Sequence, residues 1–349
     1  MRRSPWIALQ PLLLILLALA WNHRGGLAGP ADPASGPRAN AAAVVTPTVP
    51  PSPTPTQPPA ARLGGPLFRL WTAATPTPVP TPTPTATPTP LAPVRVGDAP
   101  PPAVTARNVV VLDEDSNMVL YERASHERVA PASLTKIATA LVALDLAPLT
   151  QRVRAVFDPA VLWDSTVMGL RPGDELSLED LLYGLMLPSG NDAALAIATG
   201  LAGSEERFVA LMNARVQALG LKNTHFQNPH GLDAPGHYSS AYDLVQLARV
   251  GMRDPRFRRI VGTRVWALRT PRAYEITNRN RLLWEYPGAD GVKTGYTERA
   301  GRTLVASAVR DGHRVYVALL NSPDPFAEAR RLFDWVFATF TWPAGAAGR

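Results

Sequence analysis

Hydrophobic and polar positions divide the 349-residue chain into three unlike stretches. From Trp6 to Trp21 it is apolar except at Gln10 and Pro11, and Arg2 and Arg3 stand before the run. A positive start, a short apolar stretch and Ala18-Leu19-Ala20 as a cleavage site predict an export signal. The run falls short of the roughly 20 residues that cross a bilayer comfortably, which makes a retained membrane anchor the second reading. A proline tract follows, with 22 of the 37 prolines between Pro30 and Pro102 and a Thr-Pro alternation from Thr75 to Pro90. Such sequence buries no core and favours extended polyproline II at about 3.1 Å per residue. It is expected to act as a stalk with a reach on the order of 100–200 Å, or as a disordered spacer with no length requirement.

From Thr105 onward the pattern is that of a folded domain. Asn108 to Leu112 and Met118 to Tyr121 flank the turn-rich Asp113-Glu114-Asp115-Ser116-Asn117, and Thr303 to Val309 and Arg314 to Leu320 meet through Asp311-Gly312. Both predict β-hairpins, and strands at the two ends can share one sheet. Between them the spacing is helical. Ser177 with Asp180 opens Leu181 to Leu187, Ser204 precedes Glu205 to Leu219 before Gly220, and Ser240 with Asp243 opens Leu244 to Val250 before Gly251. A last helix, about 325–340, is expected to pack on the sheet. The predicted class is α+β, an antiparallel sheet flanked by helices with an inserted helical region, behind a disordered proline-rich stalk. Expected boundaries are 1–29 for the signal or anchor, 30–104 for the linker, 105–340 for the main folded domain and 341–349 for a tail.

Charge changes this picture only at the margins. The sequence pI of 10.0 and net charge of +7 are concentrated in the first hundred residues, with 7 Lys+Arg against 2 Asp+Glu there and 28 against 26 in the rest. A near-neutral folded part lacks the basic footprint that phosphate backbones require, so no nucleic-acid partner is expected. With no cysteine there is no disulfide, thiolate metal site or lipidated N-terminal cysteine.

Lysine usage is more informative. The chain holds three lysines against 32 arginines. An arginine cannot give up its proton in a protein, whereas a lysine amine can be tuned to do so. Two of the three lie in Ser133-Leu134-Thr135-Lys136 and Lys293-Thr294-Gly295. At a helix start, a hydroxyl at i and an amine at i+3 share one face. A desolvated Lys136 near a second cation can take the proton from Ser133 as it attacks a carbonyl. Helix-terminal N–H groups near Ser133 would favour the developing oxyanion. Ser189-Gly190-Asn191, after Pro188, reads as a loop between helices. Lys293-Thr294-Gly295 leads into Tyr296 as a strand edge, where Gly295 lets a substrate approach and Lys293 and Thr294 offer a cation and a hydroxyl to an anion.

The ordered trio resembles the penicillin-recognising serine enzymes, whose motifs include Ser-x-x-Lys and Lys-Thr-Gly. Ser189-Gly190-Asn191 stands where class A β-lactamases have Ser-Asp-Asn, and no Glu-x-x-x-Asn element suited to deacylation precedes Lys293. Pro131-Ala132-Ser133-Leu134-Thr135-Lys136, Asn228-Pro229-His230-Gly231-Leu232 and Asp290-Gly291-Val292-Lys293-Thr294-Gly295-Tyr296-Thr297 resemble the low-molecular-mass D-alanyl-D-alanine carboxypeptidases over about 105–340. The resemblance implies an exported, extracytoplasmic enzyme, secreted or anchored by its N-terminal segment. It would trim the terminal D-alanine from peptidoglycan stem peptides and be inhibited by β-lactams, without a metal or other cofactor. It implies Ser133 as nucleophile and Lys136 as base, with Ser189 and Asn191 completing the proton relay and holding the substrate amide. Lys293 and Thr294 would meet the substrate carboxylate, and the N–H groups of Ser133 and Tyr296 would form the oxyanion hole. Many relatives carry a further β-rich domain and a C-terminal amphipathic anchor; here the N-terminal segment is expected to supply attachment instead.

Four other readings compete. His230, Asp233 and His237 could be drawn as a zinc site, but their spacing matches no familiar zinc motif and loop or core hydrogen bonding accounts for them. A Ser-His-Asp hydrolase lacks its Gly-x-Ser-x-Gly element. A peptidoglycan DD-endopeptidase, or a wall-binding module without turnover, would use the same pocket, and acylation by penicillin separates the last from an enzyme.

Overall fold

A computed structural model describes residues 92–269 and 274–343. The predicted signal and the proline-rich segment up to residue 91 lie outside the described residues. Val94–Arg95 pair antiparallel with Thr341 and Phe340, so pairing begins inside the stretch expected to be linker.

The two predicted hairpins form and join. Strands β1 (Asn108–Asp113) and β2 (Val119–Arg123) make the first, β4 (Gly301–Arg310) and β5 (His313–Leu320) the second, and β5 lies against β1. Strand β3 (Ala289–Thr297) adds to β4, giving an antiparallel sheet in the order β2-β1-β5-β4-β3. The apolar runs in β1 and β5 are continuous because both faces are buried. Tyr316, Ala318 and Leu320 enter one core with Val110 and Leu112, whereas Val315, Val317 and Leu319 enter a second with Val109 and Val111. This is the period-2 alternation of a strand read against two covers.

The first core is roofed by helices between β2 and β3: α1 (Lys136–Leu146), α2 (Leu178–Met186), α3 (Asn191–Ala202), α4 (Glu205–Ala218), α5 (Ala241–Arg253) and α6 (Pro255–Gly262). The second is covered by α7 (Pro325–Thr339), whose Ala329, Leu332, Phe333 and Val336 are fully buried. The predicted caps are in place: Ser177, Ser204 and Ser240 each accept the backbone N–H three residues on, at 3.1, 3.2 and 3.2 Å. Each satisfies an otherwise orphaned donor, worth about 1 kcal/mol. Helix α5 differs from expectation, because Gly251 lies within it rather than ending it. A Cβ there would sit 2.8 Å from the Phe257 ring, so the glycine makes room for the next helix instead of a stop.

Glu328, buried on α7 with 2% exposed, fixes the start of the sheet. Its carboxylate accepts Thr105 N–H at 2.5 Å, Thr105 Oγ1 at 2.6 Å, Ala106 N–H at 3.2 Å and Ser322 Oγ at 2.7 Å. A buried carboxylate requires that many donors to offset its desolvation.

Candidate active site

Lys136, Ser133, Ser189, Asn191 and the β3 edge come from three separate chain segments, and the fold brings them together where the sheet meets the helical region. Ala132–Thr135 forms a 3₁₀ turn leading into α1. This turn is tightly wedged. Ala132 adopts a positive φ of 51°, a conformation that costs a non-glycine residue about 1–3 kcal/mol and is held by its surroundings. A Cβ on Gly231 would lie 2.0 Å from the Ala132 carbonyl oxygen, and one on Gly295 would lie 2.5 Å from Thr303 Oγ1 and 3.0 Å from Ser133 N. Gly295, read from sequence as room for a substrate, lines the cleft and also leaves room for the turn that carries Ser133.

Lys136 is fully buried and makes three short contacts through Nζ: 2.6 Å to Asn191 Oδ1, 2.6 Å to the His230 carbonyl and 3.0 Å to Ser133 Oγ. A neutral amine has two N–H donors and one lone pair. Asn191 and His230 offer acceptors only at these atoms, so they occupy both donors and the lone pair faces the Ser133 hydroxyl. Burial lowers the Lys136 pKa well below 10.5, Lys293 lowers it further and Asp192 opposes the shift. The neutral base is thereby accessible.

The His230 carbonyl is presented by a built turn. Asn228 Oδ1 accepts Gly231 N–H at 2.7 Å, its Nδ2 donates to the Leu232 carbonyl at 2.9 Å, and Thr139 Oγ1 donates to the Pro229 carbonyl at 2.6 Å. The histidine rings serve the fold. His237 Nδ1 accepts Gln227 N–H at 3.0 Å, while its other nitrogen lies 2.9 Å from Thr135 Oγ1, whose own proton goes to the Ala132 carbonyl. That pattern assigns the proton to Nε2. Burial holds the pKa of His237 at about 4 and that of His230 at about 3.

Ser189 and Asn191 flank the N-terminus of α3, as the loop reading expected. Ser189 adopts φ 71°, and its buried Oγ has no protein partner. A strained, unpaired hydroxyl at this position is available to a substrate or to Ser133. Asp192 holds the facing loop: its carboxylate accepts the N–H groups of Met168, Gly169 and Leu170, each at 2.8 Å, and Asn191 N donates to the Thr166 carbonyl at 2.8 Å. Asp192 was not singled out in the sequence, although an Asp in the first turn of a helix is a recognisable signal.

Ser133, Thr166, Ser189, Arg279, Thr294, Gly295, Tyr296, Arg302, Thr303, Pro325 and Phe326 line a cleft of about 260 Å³. Thr294 and Tyr296 lie in the wall as expected, and Tyr296 is mostly exposed. Lys293 lies elsewhere: it is 1% exposed beneath that wall, and its Nζ donates to the Thr294 carbonyl at 2.9 Å. Burial, then Arg279, lowers its pKa to about 7. The cations on the cleft surface are Arg279 and Arg302. Arg279 is fixed by its N–H to the Leu187 carbonyl at 3.1 Å, while neighbouring Asn280 donates to the Gly291 carbonyl at 2.8 Å, tying the helical region to the β3 edge. Sequence reading missed both arginines because nothing distinguished them among 32.

A serine and a buried lysine at the junction of an antiparallel sheet and a helical insertion, facing a Lys-Thr-Gly strand, define the serine acyl-transfer class that recognises penicillins. Within that class, residues 95–324 match the family described as D-alanyl-D-alanine carboxypeptidase, and the chain belongs to it. It is 39% identical over 245 residues to D-alanyl-D-alanine carboxypeptidase DacF of Bacillus subtilis, covering 67% of this chain and 63% of the relative. It is 40% identical over 259 residues to DacC of Escherichia coli, covering 68% and 63%. The chain thus spans just under two thirds of the length of these curated relatives. Among solved structures, a D-alanyl-D-alanine carboxypeptidase from Mycobacterium tuberculosis is 38% identical at a TM-score of 0.65, covering 70% of this chain and 95% of that one. The Streptomyces K15 DD-transpeptidase is 32% identical at 0.65, covering 69% and 100%.

Proposed function

We propose that this chain is a serine D-Ala-D-Ala carboxypeptidase that removes the terminal D-alanine from peptidoglycan stem peptides through an acyl-enzyme on Ser133. One observation carries the reading: both N–H donors of a buried, pKa-depressed Lys136 are engaged by Asn191 and His230, which leaves its lone pair to Ser133. Lys136 takes the Ser133 proton as Oγ attacks the penultimate D-alanine carbonyl, and the N–H groups of Ser133 and Tyr296 receive the oxyanion. Ser189 relays the proton to the leaving amine. Thr294 and the cleft arginines, with Lys293 beneath as part of the field, meet the terminal carboxylate. β-Lactams would acylate the same serine.

The exported location and attachment through the N-terminal segment belong to the same proposal, supported by Arg2, Arg3 and the apolar run that follows. The test is intact mass after incubation with a labelled penicillin, followed by peptide mapping, beside D-alanine release from a pentapeptide. An adduct on Ser133 with D-alanine release is expected; an adduct on another serine refutes the assignment, and the absence of any adduct points to a wall-binding module. The likeness to a DD-transpeptidase favours one further reading, in which an amine rather than water takes the acyl group. Product analysis in the presence of an amino-acid acceptor separates the two.

A further inference from the structure

Thr166 in the cleft wall belongs to a loop that presents apolar side chains to solvent. Trp163 is 90% exposed, and Val156, Val161 and Val167 are 60%, 60% and 45% exposed. This is not a floppy tip. Pro159–Leu162 forms a 3₁₀ turn, Asp158 accepts Ala160 N–H at 2.9 Å, Ser165 N–H closes on the Leu162 carbonyl at 3.0 Å, and Leu162 is buried beneath. At its ends Thr199 Oγ1 donates to the Val156 carbonyl at 2.9 Å, and Asp192 holds Met168 to Leu170. An indole held open to water on a braced turn forgoes the burial that a tryptophan normally seeks, which marks a contact surface.

Charge and reach narrow the partner. Residues 156–167 carry Asp158 and Asp164 and no lysine or arginine, so they do not suit an anionic lipid surface. A flat indole flanked by carboxylates suits an uncharged sugar ring, whose C–H face stacks on the aromatic plane while its hydroxyl and amide groups donate to oxygen. Thr166, three residues from Trp163, lines the cleft, so Trp163 lies within about 11 Å of it along the chain. A stem peptide is joined at its N-terminus to an amino sugar. Four extended residues place that sugar about 13 Å from the scissile carbonyl, beyond the reacting groups and toward the rim of the cleft.

We propose that Trp163 is the stacking platform for an N-acetylated sugar ring of the glycan that bears the stem peptide, with Asp158 and Asp164 accepting from its polar groups. The proposal rests on the carboxypeptidase reading and adds that the substrate is recognised with its sugar attached. The full chain and its Trp163→Ala and Trp163→Phe variants are compared on two substrates: an N-acetylated pentapeptide ending in D-Ala-D-Ala, and the same peptide on an N-acetylglucosaminyl-N-acetylmuramyl disaccharide. Trp163→Ala should lose about three- to tenfold in kcat/KM on the disaccharide substrate, mostly through KM, and stay within about twofold on the free peptide. Phenylalanine should restore most of the difference. Equal change on both substrates, or none on the disaccharide, overturns the proposal. So does a Trp163→Ala variant that keeps the disaccharide preference but no longer cosediments with phosphatidylglycerol vesicles, since the loop would then be a lipid contact. Absence of turnover on both substrates by the wild type overturns the carboxypeptidase reading and this proposal together, whereas turnover of both at equal kcat/KM sinks only the role of Trp163.

Discussion

Replacing Lys293 by methionine is expected to stabilise the fold while impairing the chemistry. The amine is buried beneath the cleft, and its pKa is held at about 7 against an ordinary 10.5. Between those two values the unfolded chain holds a proton that the folded chain lacks, so stability rises with pH across that window. Below about pH 7 the full destabilisation of a buried charged lysine is present, with a ceiling of about 5 kcal/mol from the depression itself. Methionine has similar length and no charge, and apolar replacement of buried charges commonly gains about 1–4 kcal/mol. The Thr294 carbonyl loses its donor at 2.9 Å, a cost of about 1 kcal/mol. The net gain should be about 0–3 kcal/mol near pH 6 and should fade toward pH 10. Urea denaturation of wild type and Lys293→Met near pH 6 and near pH 9.5 measures it. Because Lys293 is the second cause of the low Lys136 pKa, its removal should also shift the acidic limb of the kcat/KM profile to higher pH. A gain of equal size at both pH values, or a variant less stable near pH 6, would show that the charge on Lys293 is not what strains the site.

Ser133→Ala should abolish penicillin labelling and D-alanine release with an unchanged melting temperature, and Lys136→Arg should be nearly as inactive, because arginine keeps the charge but cannot accept the proton; activity within a few-fold of wild type removes Lys136 as base. Asp192→Ala strips three backbone N–H groups of their acceptor and should cost about 2–4 kcal/mol in denaturant unfolding; a loss under about 0.5 kcal/mol means that the loop is held by other contacts. Arg302→Ala and Arg279→Ala, compared on a peptide ending in D-Ala-D-Ala and on its C-terminal amide, should reveal which arginine meets the carboxylate. That arginine's loss should weaken kcat/KM for the acid by about 1.5–3 kcal/mol more than for the amide, and equal losses on both substrates for both variants leave the carboxylate to Thr294.

The reactive groups were legible because their chemistry constrains residue type. The base proposed here must be able to lose a proton, and Lys136, like Lys293, stood out as one of three lysines beside 32 arginines. The turns around them were legible for the same local reasons, with Ser177, Ser204 and Ser240 capping helices and Asp311-Gly312 closing a hairpin. Arginine carried no such signal. The task proposed for Arg279 and Arg302 is one that any long cation on that wall could perform, so only their placement on the cleft surface singles them out.

Local pattern and residue chemistry therefore determined the strands, the capped helices, the Ser133–Lys136 pair and the class of reaction proposed for it. What the tertiary structure decided are relations between segments distant in the chain. It turned Lys293 inward to Thr294, gave Lys136 two fixed acceptors from Asn191 and the His230 carbonyl, and packed Gly231 and Gly295 against the nucleophile's turn. A pKa, a lone-pair direction and a close backbone approach depend on what surrounds an atom in three dimensions. Those surroundings are assembled only when the sheet and the helical region close on each other.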